Sequence, residues 1–286
     1  MLFTKVHGLG NDFILVNKQE QHNLPDNLAE LAIKVCDRHL GIGADGLVLI
    51  GQGTDTDLTM QIINSDGSEA EMCGNAIRCV AKYAYEQGLV HSAKMTVSTG
   101  AGIKVPELIL DDKGIVLGVR VDMGKPALVR EEIPLSDLLG KPNERVIDEQ
   151  LVVGDKSFQI TAVSMGNPHC VIFVPFLAEV PLALWGSAIE THPAFLNKTN
   201  VEFVQVLNDQ EIRMAVWERG VGPTLACGTG ACATVVAAVL NSLTDREVRV
   251  HLAKGYLDIK WGLDDHIYMT GPAEQVFMGE YKYDID

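Results

Sequence analysis

Apolar and polar positions along the chain divide it into short segments of two kinds. HGLGNDFILVN (residues 7–17) is a glycine turn followed by an apolar run, which predicts a strand. In DNLAELAIKVCDRHLG (26–41), Leu28, Leu31, Ala32 and Val35 share one face at helical spacing, and Gly41 is expected to end the helix. DGLVLI (45–50) and DLTMQII (57–63) read as strands, as do MTVST (95–99) and IKVPELIL (103–110). Between them a turn-rich stretch leads into a helix from Asn75 to Gln87, closed by Gly88. In the second half FQITAVSM, HCVIFV, VEFVQV, IRMAVWE, EVRVHL and YLDIKW read as strands, with a helix over residues 229–242. Residues 131–157, polar and proline-containing, read as an irregular excursion.

The two long helices differ in pattern. TGACATVVAAVLNSL (229–243) is apolar nearly all the way round, so it must be buried on every side, and the surrounding strands predict a sheet curled about it. The first helix carries Arg78, Lys82 and Glu86, which predicts less complete burial.

An internal repeat organises these segments. CGNAIRCVA at Cys73 has a counterpart 154 residues on, CGTGACATV at Cys227. Asn64 ends a strand nine residues before Cys73, as Glu218 does before Cys227. GND at 10–12 matches GNP at 166–168, and Gly102 matches Gly255, all within three residues of one offset. The expectation is two homologous halves, residues 1–118 with 272–286 carrying Cys73, and residues 119–271 carrying Cys227.

Composition narrows the chemistry. A chain of 286 residues with 47% hydrophobic content supports real cores. A net charge of −15 and no basic patch disfavour nucleic acid or an anionic membrane as partner and favour a small molecule. MLFTKVHGLGNDF has no apolar signal-peptide core, and no run approaches the roughly 18 apolar residues of a membrane span. A cytoplasmic protein with reduced thiols is expected. The spacings of Cys36, Cys73, Cys79, Cys170, Cys227 and Cys232 fit no zinc knuckle, and no metal is predicted. GIGADG (41–46) matches a dinucleotide-binding pattern in letters, but it follows a helix and precedes a strand, the reverse of what that site needs.

Four of the cysteines read as buried structural thiols. Cys73 and Cys227 differ, since each precedes a glycine at a helix mouth, where unpaired N–H groups and the helix dipole favour negative charge. Such a place is expected to lower a thiol pKa and to bind a carboxylate. Two such sites related by pseudo-twofold symmetry put a thiol on either side of one carbon, which suits proton removal from one face and delivery to the other. A cysteine hydrolase using Cys227 and His169 leaves the duplicated Cys73 site unexplained. A protein that binds an amino acid without catalysis predicts no α-proton exchange.

NSDGSEAEMCGNAIRC, HGLGNDF, SMGNPHC, TNVEFVQV and ERGVGPTLACGTGACA together resemble the diaminopimelate epimerase family, over nearly the whole chain. The resemblance implies an α/β (α+β) fold of two pseudosymmetric domains, each a mixed sheet rolled as a barrel around a central helix. It implies a pyridoxal-independent isomerase, needing no cofactor, that interconverts LL- and meso-2,6-diaminopimelate for lysine and peptidoglycan synthesis, commonly as a homodimer. Carried over motif by motif, Cys73 is the proton donor and Cys227 the acceptor in the LL-to-meso direction. Gly74, Asn75, Gly228 and Thr229 hold the reacting carboxylate through their N–H groups. Asn11, Asn64, Asn167, Asn200, Glu218 and Arg219 bind substrate, and His169 and Glu218 tune the thiols. Ala76 and Gly46 depart from the family pattern, where many members carry glycine and some a glutamine.

Overall fold

A computed structural model describes residues 1–21 and 24–282; the remaining positions of the predicted first half, 22–23 and 283–286, lie outside it. The chain forms two compact units, residues 1–122 with 270–286, and residues 123–269. Among the described residues no helix is long and apolar enough to cross a membrane.

The first unit contains β1 (Leu2–Gly8), β2 (Asn11–Asn17), α1 (Leu28–Cys36), β3 (Gly46–Gln52), β4 (Leu58–Asn64), β5 (Glu69–Ala70), α2 (Gly74–Glu86), β6 (Val97–Thr99), β7 (Gly102–Lys104), β8 (Glu107–Leu110) and β9 (Val116–Asp122). The second contains β10 (Glu149–Val153), β11 (Lys156–Ser164), β12 (Pro168–Phe173), α3 (Leu182–Glu190), β13 (Asn200–Asn208), β14 (Glu211–Glu218), β15 (Gly222–Pro223), α4 (Gly228–Leu240), β16 (Glu247–Leu252), β17 (Gly255–Trp261) and β18 (Ile267–Gly271). The chain then returns through β19 (Glu274–Glu280), which pairs antiparallel with β1.

In the first unit the strand order is β19-β1-β2-β3-β4-β6-β7, with β8 and β9 as a hairpin. The second runs β10-β11-β12-β13-β14-β16-β17-β18. Both sheets are mixed, and the parallel pairs fall at equivalent places: β2 beside β3, β12 beside β13, β4 beside β6, β14 beside β16. A single helix, α2, touches β1, β2, β4, β8, β9 and β19, and α4 touches β11, β12, β13, β14, β16 and β17. A flat sheet cannot reach one helix with strands from across its width, so each sheet curls around its helix.

The duplication is visible in the backbone. Gly10 and Gly166 turn the chain ahead of β2 and β12 at φ of +91° and +92°, a region glycine enters without penalty. Phe13 pairs with Gly46 as His169 pairs with Asn200, so two residues further on Val48 in β3 corresponds to Glu202 in β13.

Four expectations need correction. The first helix ends at Cys36, five residues before Gly41, because the Asp37 side chain accepts from the His39 and Leu40 N–H groups and bends the chain away. IKVPELIL divides into β7 and β8 around Val105 and Pro106, since proline has no N–H to give a ladder. The 131–157 excursion contains strand β10, whose Leu151 is buried in the core of the second unit. Finally, α2 is buried as fully as α4: nine of 13 residues in each, with Arg78 at 0% exposure. Arg78 is tolerated there because it donates to the carbonyls of Gly74 (3.1 Å) and Pro272 (3.2 Å) and to Asn75 Oδ1 (2.9 Å). Helix α3 lay unread in the sequence; its apolar residues Trp185 and Ile189 pack on the core around Phe203.

Candidate active site

Each unit places its cysteine as the residue capping the N-terminus of the enclosed helix. Cys73 precedes α2 with extended backbone (φ −140°, ψ 121°), and Cys227 precedes α4 likewise (φ −123°, ψ 111°). By position, the first N–H groups of each helix, those of Gly74 and Asn75 and of Gly228 and Thr229, have no carbonyl within the helix to bond. Both helix mouths are therefore built to receive an anion.

In the first unit Asn11 is the hub. Its Oδ1 accepts from Asn75 Nδ2 at 2.9 Å and from the Cys73 thiol at 3.8 Å, while its Nδ2 donates to Asp45 Oδ2 at 2.7 Å. A directed chain thus runs from Arg78 through Asn75 and Asn11 to Asp45, each group donating to the next. Asp45 and Asp12 share Arg38, and Asp12 also pairs with Lys5 at 2.5 Å. Burial opposes ionisation of Asp12, but hydrogen bonds from Arg38 and Lys5 outweigh it and hold the carboxyl at about 2. Asn64, at the end of β4, donates to Ser68 Oγ at 3.0 Å.

The equivalent positions in the second unit hold different groups. Asn167 donates to Thr229 Oγ1 at 3.4 Å, and its Oδ1 lies 3.0 Å from His169 Nε2. His169 Nδ1 lies 2.7 Å from Glu202 Oε1, both side chains fully buried. Thr229 Oγ1 is 3.5 Å from Cys227 Sγ, which also accepts from the Gly230 N–H at 3.3 Å. Glu218 accepts from the Thr224 hydroxyl. Asn200 is committed at both ends of its amide, donating to the Pro168 carbonyl (2.9 Å) and accepting from the Arg219 N–H (3.0 Å), so it ties together the ends of β12, β13 and β14. The Arg219 guanidinium reaches the Asn197 carbonyl at 3.1 Å.

Of the residues read from the sequence, Asn11, Gly74 and Asn75 lie around Cys73, and Asn167, His169, Glu218, Gly228 and Thr229 around Cys227; Asn64 is bonded to Ser68 at the end of β4, and Asn200 and Arg219 lie at the ends of β13 and β14. One expectation reverses. Burial pushes the Cys227 thiol well above its ordinary value, and the Glu218 and Glu202 carboxylates push the same way; bonds from Thr229 and Gly230 pull it back without prevailing. A helix dipole contributes a fraction of a charge, whereas two carboxylates and loss of water act on the whole charge of a thiolate. The other four thiols are buried as expected, and burial raises Cys36 and Cys79 to about 12.

Three participants were missed by sequence reasoning: Arg78, Asp45 and Glu202. The available signal was a charged residue inside an otherwise apolar run, AIRCVA for Arg78 and NVEFV for Glu202, because such residues are almost never fully buried unless paired. Gly230 also acquires a reason. A Cβ there would stand 2.7 Å from Glu202 Oε1 and 3.2 Å from Cys227 Sγ. Its counterpart Ala76 faces a half in which Val48 replaces the carboxylate, so a methyl group fits and is fully buried.

Comparison with known proteins places these features. The sequence model of diaminopimelate epimerase matches residues 3–129 and 161–276. The chain is 58% identical to the diaminopimelate epimerase of Pelotomaculum thermopropionicum, covering 99% of both chains. It is 53% identical to that of Moorella thermoacetica, covering 99% of this chain and 100% of the relative. Among solved structures, a Bacillus anthracis phenazine biosynthesis protein of the PhzF family shares the fold at a TM-score of 0.70 and 16% identity, covering 99% of this chain and 98% of that one. A hydroxyproline epimerase from Agrobacterium vitis does so at 0.64 and 14%, covering 98% and 90%. With two family-matched segments spanning most of its length, each centred on a helix-capping cysteine, this chain belongs to the diaminopimelate epimerase family.

Proposed function

We propose that the protein interconverts LL- and meso-2,6-diaminopimelate by moving a proton between two thiols, in the synthesis of lysine and peptidoglycan precursors. The observation carrying this reading is the duplicated helix-mouth cysteine. Inversion at carbon needs one base and one acid on opposite faces, and two half-sites of common origin supply one each. In the LL-to-meso direction Cys227, as thiolate, takes the α-proton, and Cys73, as thiol, delivers its own to the other face. Cys227 ends as thiol and Cys73 as thiolate, so the reverse reaction starts from the state the forward one leaves.

The substrate carboxylate gains charge as the α-proton departs, and the N–H groups of Gly74, Asn75, Gly228 and Thr229, left without carbonyl partners inside their helices, are donors suited to such charge. Asn11, Asn64, Asn167, Asn200, Glu218 and Arg219 bind substrate, with the amides and Arg219 suited to the zwitterionic distal end. His169 and Glu218 tune the thiols. The reaction uses side-chain thiols as its only acid and base, so no cofactor is assigned to it. Six thiols without a disulfide among the described residues support a cytoplasmic setting, and exposed Val276, Phe277 and Met278 on edge strand β19 support a homodimer.

The test is ¹H NMR of the protein with LL-diaminopimelate in D₂O, with a reductant and without pyridoxal phosphate. Deuterium entering one α-carbon together with formation of the meso isomer is expected. Cys73→Ala and Cys227→Ala should each abolish inversion while the protein stays folded. Full activity in either variant would sink the two-thiol reading.

A further inference from the structure

Arg219 sits on the turn between β14 and β15 and is exposed, as is Gly220 beside it. Its guanidinium donates to the Asn197 carbonyl at 3.1 Å and pairs with no carboxylate among the described residues. The positive charge is therefore left for an anion from outside the chain. An arginine on a loose surface turn grips such an anion weakly, because ordering the turn on binding costs free energy.

This turn is tied down from beneath. Glu190, the last residue of α3, is buried (6% exposed) and accepts from the Gly220 N–H at 2.9 Å through Oε1 and from the Trp217 indole N–H at 2.7 Å through Oε2. Between these anchors the Arg219 N–H donates to Asn200 Oδ1 at 3.0 Å. Indole and backbone N–H groups can only donate and an ionised carboxylate can only accept, so both Glu190 contacts have one possible sense. Burial opposes ionisation of Glu190, but the bonds from Trp217 and Gly220 outweigh it and, with Lys198 at 3.7 Å, hold the carboxyl below its ordinary value. Helix α3 comes close enough to β14 for this because residue 186 is glycine: a Cβ there would stand 2.6 Å from the Trp217 Cβ.

The turn after β4, where Ser65 stands in the place of Arg219, is built otherwise. It closes on itself, the Gly67 N–H donating to the Asn64 carbonyl and the Ser68 N–H to Asp66 Oδ1, each at 2.9 Å. Against α1 it makes an apolar approach, since a Cβ on Gly67 would meet Ile33 Cδ1 at 3.0 Å. The half that carries the arginine is the one in which a buried carboxylate of the preceding helix holds the turn. We propose that Glu190 is a positioning residue for Arg219: its carboxylate fixes Trp217 and Gly220 on either side of the arginine and so holds the guanidinium ready for the carboxylate at the distal end of the substrate. The inference rests on the diaminopimelate reading for its ligand, while the anchoring itself is decided on substrate-free protein.

Glu190→Gln keeps the shape of the side chain but offers one acceptor oxygen where two N–H groups need one each. In substrate-free protein, ¹H–¹⁵N NMR with hydrogen exchange reads the Gly220 amide and the Trp217 indole N–H. Both should exchange slowly in the unaltered protein, and at least one should exchange about tenfold faster in E190Q. In steady-state kinetics E190Q should raise KM for LL-diaminopimelate about tenfold with kcat held within about twofold, as expected for a grip made equally in the ground and transition states. In an R219A background the same substitution should change kcat/KM less than about twofold, because what Glu190 positions is gone. E190D, which keeps two acceptor oxygens on a shorter stem, should lie between E190Q and the unaltered protein. Fast exchange of the Gly220 amide in the unaltered protein, an unchanged KM in E190Q, or effects that simply multiply in the double variant would overturn the proposal. If E190Q does not fold, E190D and the exchange rate of Gly220 still decide it. Slow Gly220 exchange that is lost in E190Q, in a protein that turns over no diaminopimelate, would sink the substrate reading and leave the anchoring of the turn standing.

Discussion

At the residue scale the two helix mouths differ by what their third helical residue can tolerate. Gly230→Ala must displace a buried carboxylate held by His169, because the new methyl would sit 2.7 Å from it. Overpacking of this kind costs about 1–3 kcal/mol, and a loss of kcat beyond the loss of stability is expected, since Cys227 Sγ is the other atom touched. Ala76→Gly, its counterpart, should cost about 1–2 kcal/mol, helix propensity plus one buried methyl group, and leave turnover nearly intact. Thermal unfolding beside steady-state kinetics separates the two cases; equal losses of turnover at both positions would contradict the close approach of Gly230 to Glu202 and Cys227. The cysteines and their glycines were legible because the repeat singled them out twice. Glu202 was not, because a carboxylate in a strand usually marks a solvent face, and β13 is buried on both faces at this point.

At the element scale, α2 shows how a helix with a mixed surface can be as deeply enclosed as an apolar one. Its pattern reads as amphipathic, yet Arg78 lies inward, with its guanidinium spread over the carbonyls of Gly74 and Pro272 and the Asn75 amide. Arg78→Met keeps the apolar stem but strands those acceptors, and destabilisation by about 3 kcal/mol is expected, measured as a lower denaturation midpoint. Because Asn75 then loses the donor that orients its amide, turnover should fall as well. Unchanged stability would mean the guanidinium is not what satisfies those groups. The end of α1 failed for a local reason, an Asp37 turn that outcompeted Gly41, and β10 was obscured because its polar outward residues alternate with only one fully buried side chain, Leu151.

At the scale of the whole molecule, acidity acts on the network beneath the first half-site. Asp12 is held at about 2, below its ordinary value of 3.8, so the unfolded chain binds its proton more readily than the folded one. Its contribution, about 2 kcal/mol, is fully present above pH 4 and is lost as pH falls through about 2. In Asp12→Asn this part of the acid sensitivity should vanish, read from unfolding midpoints between pH 5 and 2. An unaltered pH dependence would show that Lys5 and Arg38 do not favour the ionised carboxylate.

The sequence by itself determined the duplication, the two helix-capping cysteines, most strands and the family, because these rest on local spacing and on motifs that recur within one chain. Only the tertiary structure decided the direction in which Cys227 is shifted, the inward turn of Arg78 and the different partners of Asn11 and Asn167. Each of these depends on which groups strand pairing brings within 3 or 4 Å and on how much water burial removes. Neither quantity is a property of neighbouring letters in the chain.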